Sequence, residues 1–170
     1  MKKLRIGLDI DDCLAGFWRT YCIRFDAIHN PKMLEDDVIT QNVNRILIEE
    51  RNFWLNLPLI DKPDFVPELY CTKRVNSKYW TRKWLELQGL PIRPIYQMFN
   101  QYGNKAKLIK GRVDVFVDDS VRNVLQMNES GVPTLLYHTE QNADFPMYKV
   151  FSLREEEIVD AYEFMMKYRD

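Results

Sequence analysis

Residues 4–10 form a short apolar run that ends in acids, the pattern of a buried strand. From Phe17 the period changes: Phe17, Trp18, Tyr21, Cys22 and Phe25 recur at helical spacing. Residues 34–57 mix charged and apolar positions, and the Pro58 and Pro63 dipeptides then punctuate a boundary. Beyond it strands and helices alternate. Residues 66–72 predict a strand, and 77–88 a helix closed by Gly89 with Pro91 following. Residues 92–98 predict a strand; Asn104 caps a short helix over 105–110, stopped by Gly111. The run 113–117 is the clearest strand, β-branched and apolar apart from Asp114. A helix over 121–128, a strand over 133–137 and an amphipathic helix over 155–168 complete the pattern.

Strands alternating with helices of this length predict parallel βαβ units, hence an α/β fold with a parallel sheet flanked by helices. The mostly helical stretch inserted after the first strand divides the chain. Residues 1–16 and 66–170 form a core, and 17–65 a small helical cap. No internal repeat or low-complexity tract complicates this division.

Composition narrows the function classes. The 170 residues suit about one domain. With Lys+Arg at 24 and Asp+Glu at 25, the formal charge is −1. So balanced a chain has no global field for wrapping a duplex, and an anionic ligand must be held by local cations or a metal. Cys13, Cys22 and Cys71 show neither CxxC nor His-paired spacing, which argues against a disulfide framework and a zinc site. Arg5 and Asp9 break the apolar core a signal peptide needs, and no run is long enough to span a bilayer. A cytoplasmic address is the expectation.

Two acidic clusters stand at the carboxyl ends of the two best strands: Asp9-Ile10-Asp11-Asp12 and Asp118-Asp119. One Asp-Asp pair after a strand is commonly a turn or a helix cap. Two such pairs, each ending an apolar strand, point to the crevice outside the carboxyl ends of a parallel sheet. Carboxylates gathered there repel one another unless a cation sits among them, and an all-oxygen set without His or Cys spacing suits Mg²⁺. At the Asp9-x-Asp11 spacing, Asp9 can attack phosphorus to form an aspartyl-phosphate. Asp11 can protonate the leaving oxygen and later take a proton from water.

The segment Asp9-Ile10-Asp11-Asp12-Cys13-Leu14 resembles the first motif, DxDx(T/V)L, of the haloacid dehalogenase-like phosphohydrolases. Thr72 at the end of the second strand, Lys105 opening a helix, and Asp118-Asp119 are similar to that family's later motifs, in order. The resemblance implies a Rossmann-like core. It implies Mg²⁺ held by the Asp9 carboxylate, the Asp11 main-chain carbonyl and Asp118, with Asp119 in an outer shell or orienting Lys105. It also implies phosphate held by Thr72 and a lysine, either Lys105 at the helix start or Lys107, 11 residues before Asp118. Two positions depart from the pattern: Cys13 stands where Thr or Val is usual, and Asp12 where Gly is common. Cys13 reads as a small apolar substitute, and Asp12 as an extra negative charge near the site.

Within that family, DIDDCLAGF over residues 9–17 looks like the matching segment of the 5′(3′)-deoxyribonucleotidases. The resemblance implies Phe17 lying against a nucleobase, so the expected substrate is a (deoxy)nucleoside monophosphate. A second resemblance competes. Thr72-Lys73-Arg74 and the basic, aromatic stretch over 78–85 are similar to the 3′-phosphatase domain of polynucleotide kinases. There Arg74 would bind phosphate and the substrate would be a nucleic-acid end. A non-catalytic binding protein on the same fold is the third reading. The oligomeric state is open.

Overall fold

The computed structural model describes residues 3–74, 77–100 and 102–168; the side chains at 36, 44 and 46–49 fall outside that description. Six strands form one sheet: β1 (Ile6–Leu8), β2 (Leu69–Thr72), β3 (Ile95–Gln97), β4 (Val115–Asp118), β5 (Thr134–Tyr137) and β6 (Lys149–Val150). Every pairing is parallel, and the order is β3-β2-β1-β4-β5-β6. The fold is therefore α/β and Rossmann-like, as the alternation predicted. The chain winds outward from β1 to β3, then returns to β4 on the other side of β1. That reversal puts the switch point between β1 and β4.

Strand alternation sorts the core into two layers. Ile6, Leu8, Tyr70, Val115 and Val117 pack on one face, with Trp84 and Leu85 of α4 (Lys78–Leu87) and Ile158 and Ala161 of α7 (Glu155–Lys167). Leu69, Cys71 and Phe116 pack on the other, with Ala106 and Ile109 of α5 (Ala106–Ile109) and Met127 of α6 (Val121–Glu129). Burial of both faces is why β1 and β4 read as continuous apolar runs. Gly7 is required by close approach: a Cβ there would stand 2.8 Å from Phe116 Cδ2.

Between β1 and β2 the chain forms α1 (Phe17–Arg24), a 3₁₀ turn (Pro31–Leu34), α2 (Asp36–Glu49) and α3 (Arg51–Leu55). The predicted elements exist, but several strands start later than expected. Pro67, Pro94 and Pro133 lack the N–H a ladder needs, so β2, β3 and β5 begin after them. The helices keep their predicted ends. Ser77 Oγ accepts from Tyr79 N at 3.3 Å, and Gly89 follows α4 at φ 64. The two-residue β6 carried no periodic signal.

Candidate functional site

At the switch point β1 and β4 run in register, Leu8 beside Val117, and Asp9 N donates to Val117 O at 2.9 Å. The acids that end these strands are therefore neighbours, although 109 positions separate Asp9 from Asp118 in sequence. Both point toward the face that carries α5, and Lys105 fills the space between them. Its Nζ lies 2.8 Å from Asp9 Oδ1 and 2.7 Å from Asp118 Oδ2, with its side chain fully buried. Burial acts to strip that proton, but the Asp118 and Asp9 charges outweigh it and hold Lys105 above its ordinary range. Asp9 moves up to about 7, chiefly through burial; Lys105 restrains the rise and Asp118 adds to it. Lys107 is exposed, so Lys105 is the lysine that stands among the acids.

The Asp118-Asp119 pair divides differently from the expectation. Asp118, expected among the metal ligands, has a carboxylate engaged within the protein. Besides Lys105 it accepts from Ser120 N at 2.9 Å and from Asn123 Nδ2 at 3.1 Å. Asp119 points to the opposite side, because successive side chains alternate at a strand end. It makes no contact with Lys105; its carboxylate faces Asp9 and Cys13. One oxygen of Asp9, one of Asp119 and Cys13 Sγ all lie within 4.8 Å of one another. Burial, then the Asp118 and Asp9 charges, push the Asp119 carboxyl well above the usual carboxylate range. Burial, then the Asp119 and Asp9 charges, push the Cys13 thiol up as well. Groups that resist ionising for want of countercharge are a fit place for a divalent cation.

After Asp9 the chain turns sharply. Leu14 N and Ala15 N both donate to Ile10 O at 2.9 Å, and Asp12 takes a left-handed φ of 60. Asp12 Oδ1 accepts from Trp18 N at 2.8 Å and so caps α1, a role that accounts for an acid at this position. Burial pushes its carboxyl up to about 7 although the Trp18 bond opposes the rise.

Asp11 extends toward β2. It accepts from Thr72 Oγ1 at 3.4 Å and from Arg74 Nε at 2.8 Å, and its other oxygen takes Arg74 Nη2. Arg74, expected to hold phosphate, instead grips Asp11 in a bidentate pair. Its guanidinium is fully buried, donates to Thr81 at 3.3 Å and lies 4.7 Å from the ring centre of Trp54 in α3. Lys73, the residue before it, lines the cleft and donates to Asn123 Oδ1 at 2.6 Å.

These groups surround one cleft of about 250 Å³. Asp9, Asp11, Thr72, Lys73, Lys105, Asp119 and Asn123 form its polar floor. Phe17, Ile39, Val43 and Trp54 form its apolar wall. Phe17 also stacks on Trp54 at 5.5 Å between ring centres and meets Phe53 edge-on at 5.9 Å. It is both wall and packing residue. The sequence reading gave no role to Asn123 or Trp54 here, and set Lys73 only in a basic stretch that could meet a nucleic-acid end. Asn123 had a signal in its place five residues after Asp118. Trp54 had none, because its partner lies 20 residues away on another element.

The arrangement can hold a tetrahedral anion against Lys105, Thr72 and Lys73, with the Asp9 carboxylate beside it and Asp11 within reach on the other side. Asp9 and Asp119 carry carboxylate oxygens close enough to share a divalent cation.

No protein-family model matches the chain, and no curated protein matches it. Among solved structures the chain is similar to YfnB of Bacillus subtilis, described as a candidate HAD-hydrolase bound to magnesium. The TM-score is 0.56 at 15% identity, over 95% of this chain and all of that one. At that identity the likeness carries the fold and leaves the chemistry to the site itself. No helix among the described residues is long and apolar enough to cross a membrane.

Proposed function

We propose that this chain is a Mg²⁺-dependent phosphomonoesterase that hydrolyses nucleoside monophosphates through an aspartyl-phosphate on Asp9. The observation that carries the reading is the Asp9 carboxylate, set 2.8 Å from Lys105 on the floor of a cleft that also holds Thr72, Asp11 and Asp119. In this reading the phosphoryl group of the substrate lies against Lys105, Thr72 and Lys73, so that Asp9 faces phosphorus in line with the leaving oxygen. Asp11, aimed by Arg74, gives its proton to that oxygen and then takes one from the water that releases phosphate. Asp9, Asp119 and the Asp11 main-chain carbonyl would hold Mg²⁺, which would supply charge neutralisation to the phosphoryl oxygens. The geometry favours Asp119 over Asp118 for that role, since Asp118 already accepts from Lys105, Ser120 and Asn123.

The substrate class rests on the wall of the cleft. The helices between β1 and β2 act as the cap, and Phe17 and Trp54 offer flat apolar surface beside an anion site, which suits a nucleobase or its sugar. The nucleic-acid-end reading leaned on Arg74 and the basic face of α4. Arg74 is buried under Trp54, and Glu86 lies within 3.4 Å of both Arg82 and Lys83. A free nucleotide is therefore the better fit.

The test is phosphate release from a panel of deoxy- and ribonucleoside 5′- and 3′-monophosphates, with a 3′-phosphorylated oligonucleotide beside them, each with and without EDTA. The reading expects mononucleotide turnover that chelation abolishes and Mg²⁺ restores. Turnover that survives full chelation, or is confined to the oligonucleotide and fades with salt, contradicts it.

A further inference from the structure

The donor set in the cleft is not made of oxygen alone. Cys13 Sγ shares the 4.8 Å cluster with oxygens of Asp9 and Asp119, and Cys13 has no exposed surface. Two further observations point at a ligand for that cluster. Among the described residues the fully buried Cys13 thiol has no hydrogen-bond or ion-pair partner, and the half-buried Asp119 carboxylate has none either. Asp9 spends only Oδ1, on Ile10 N and Lys105 Nζ, which leaves Oδ2 open. The turn at Asp12 fixes the backbone that carries the thiol: Asp12 N donates to Ala15 O at 2.7 Å, and Leu14 N to Ile10 O at 2.9 Å.

We propose that Cys13 is a metal donor, so that this site takes thiophilic divalent cations such as Zn²⁺, Cd²⁺ and Co²⁺ through Sγ together with Asp9 and Asp119. The inference deepens the reading above, for it rests on a cation site in this cleft. A hard ion such as Mg²⁺ draws on the oxygens and leaves sulfur alone, whereas borderline and soft ions gain from a thiolate. Three protein donors with a further position open to solvent is a donor count that Zn²⁺ accepts. As the sulfur–metal bond forms, the S–H proton leaves to solvent and the ion stays divalent; no oxidant or reductant takes part. The consequence is a site that works with Mg²⁺ and is captured by Zn²⁺ or Cd²⁺. Cys22, half-buried on α1, and Cys71, buried beneath the sheet, lie outside the cluster and serve as internal comparisons.

The experiment titrates Cd²⁺, then Co²⁺, into the full-length protein stripped of metal, and follows thiolate-to-metal charge-transfer absorption. The expected result is a band that saturates at one equivalent and is lost in Cys13→Ser and Cys13→Ala but kept in Cys22→Ser. By isothermal titration, Cys13→Ser should weaken Cd²⁺ binding at least about tenfold and leave Mg²⁺ binding within about twofold. Cd²⁺ binding with no band, or a band that survives in Cys13→Ser, overturns the proposal. Should both Cys13 variants fail to fold, Asp119→Asn decides: a tenfold or greater loss of the band's apparent affinity supports the shared site, and an unchanged affinity overturns it. Absorption reads the donor set without turnover. A Cys13 band with no phosphate release from any nucleotide would sink the phosphatase reading alone, and Mg²⁺-dependent release with no band would sink the thiol donor alone.

Discussion

In the proposed reading Lys105 is structural and functional at once. Its ammonium is the only cation within hydrogen-bond reach of both Asp9 and Asp118 among the described residues. Removing one partner of a buried ion set leaves the others charged and unsolvated. Lys105→Met should therefore cost about 3–5 kcal/mol of stability, with Asp118→Asn in the same chain returning part of it. Chemical denaturation checks this; a loss below about 1 kcal/mol would mean that the acids are solvated without the lysine. Asp12 makes a second case, with the opposite sign. Its folded carboxyl titrates at about 7, above the 3.8 of a free one, so the folded chain holds more protons over that window than the unfolded one. Its contribution to stability is full at low pH and falls as pH rises toward 7. Asp12→Asn removes the titration, keeps an oxygen for Trp18 N–H and tolerates the left-handed backbone. It should leave stability at pH 4 unchanged and add on the order of 1 kcal/mol at pH 8, after allowance for solvent screening. A wild-type melting temperature that rises between those two pH values, with no gain from the variant, would contradict the assignment.

Elements decide what residue types alone leave open. The sequence names Asp118 and Asp119 as a pair but not which of them meets Lys105, because that depends on the phase of a strand at its last residue. Pairing of β4 with β1 fixes the phase, and pairing is not local. The same limit explains Arg74. A basic residue after Thr72 was legible, but its burial depends on Trp54 of α3, which arrives from the other side of the cleft. The helix and strand order, by contrast, was legible from period and capping, since Ser77, Asn104, Gly89 and Gly111 act within a few residues of themselves. Arg74 in its observed place joins β2, α3 and Asp11. Lysine lacks the planar fork for a bidentate, stacked contact. Arg74→Lys should lower kcat at least about tenfold through a misplaced Asp11, with KM within about twofold. A KM that rises tenfold at unchanged kcat would put the guanidinium on the substrate instead. Phe17 belongs to α1 and to the cleft together. Phe17→Ala should cost about 2–3 kcal/mol in packing against Phe53 and Trp54, and should raise KM for nucleotides more than for p-nitrophenyl phosphate. Equal loss on both substrates would leave it a packing residue only.

On the scale of the whole molecule, the reversal of winding between β3 and β4 makes the site. It brings the first strand and the fourth together and sets the acids of one against those of the other, in a chain whose net charge is only −1. The helices between β1 and β2 then close an apolar wall over that polar floor. What this architecture is proposed to do is carry a phosphoryl group on Asp9, and that intermediate can be trapped chemically. The protein is mixed with a turning-over mononucleotide, quenched, reduced with borohydride and mapped by tandem mass spectrometry, since reduction converts a phosphorylated aspartate to homoserine. The account predicts homoserine at position 9, dependent on substrate and on Mg²⁺; homoserine at position 11, or none during active turnover, would contradict it.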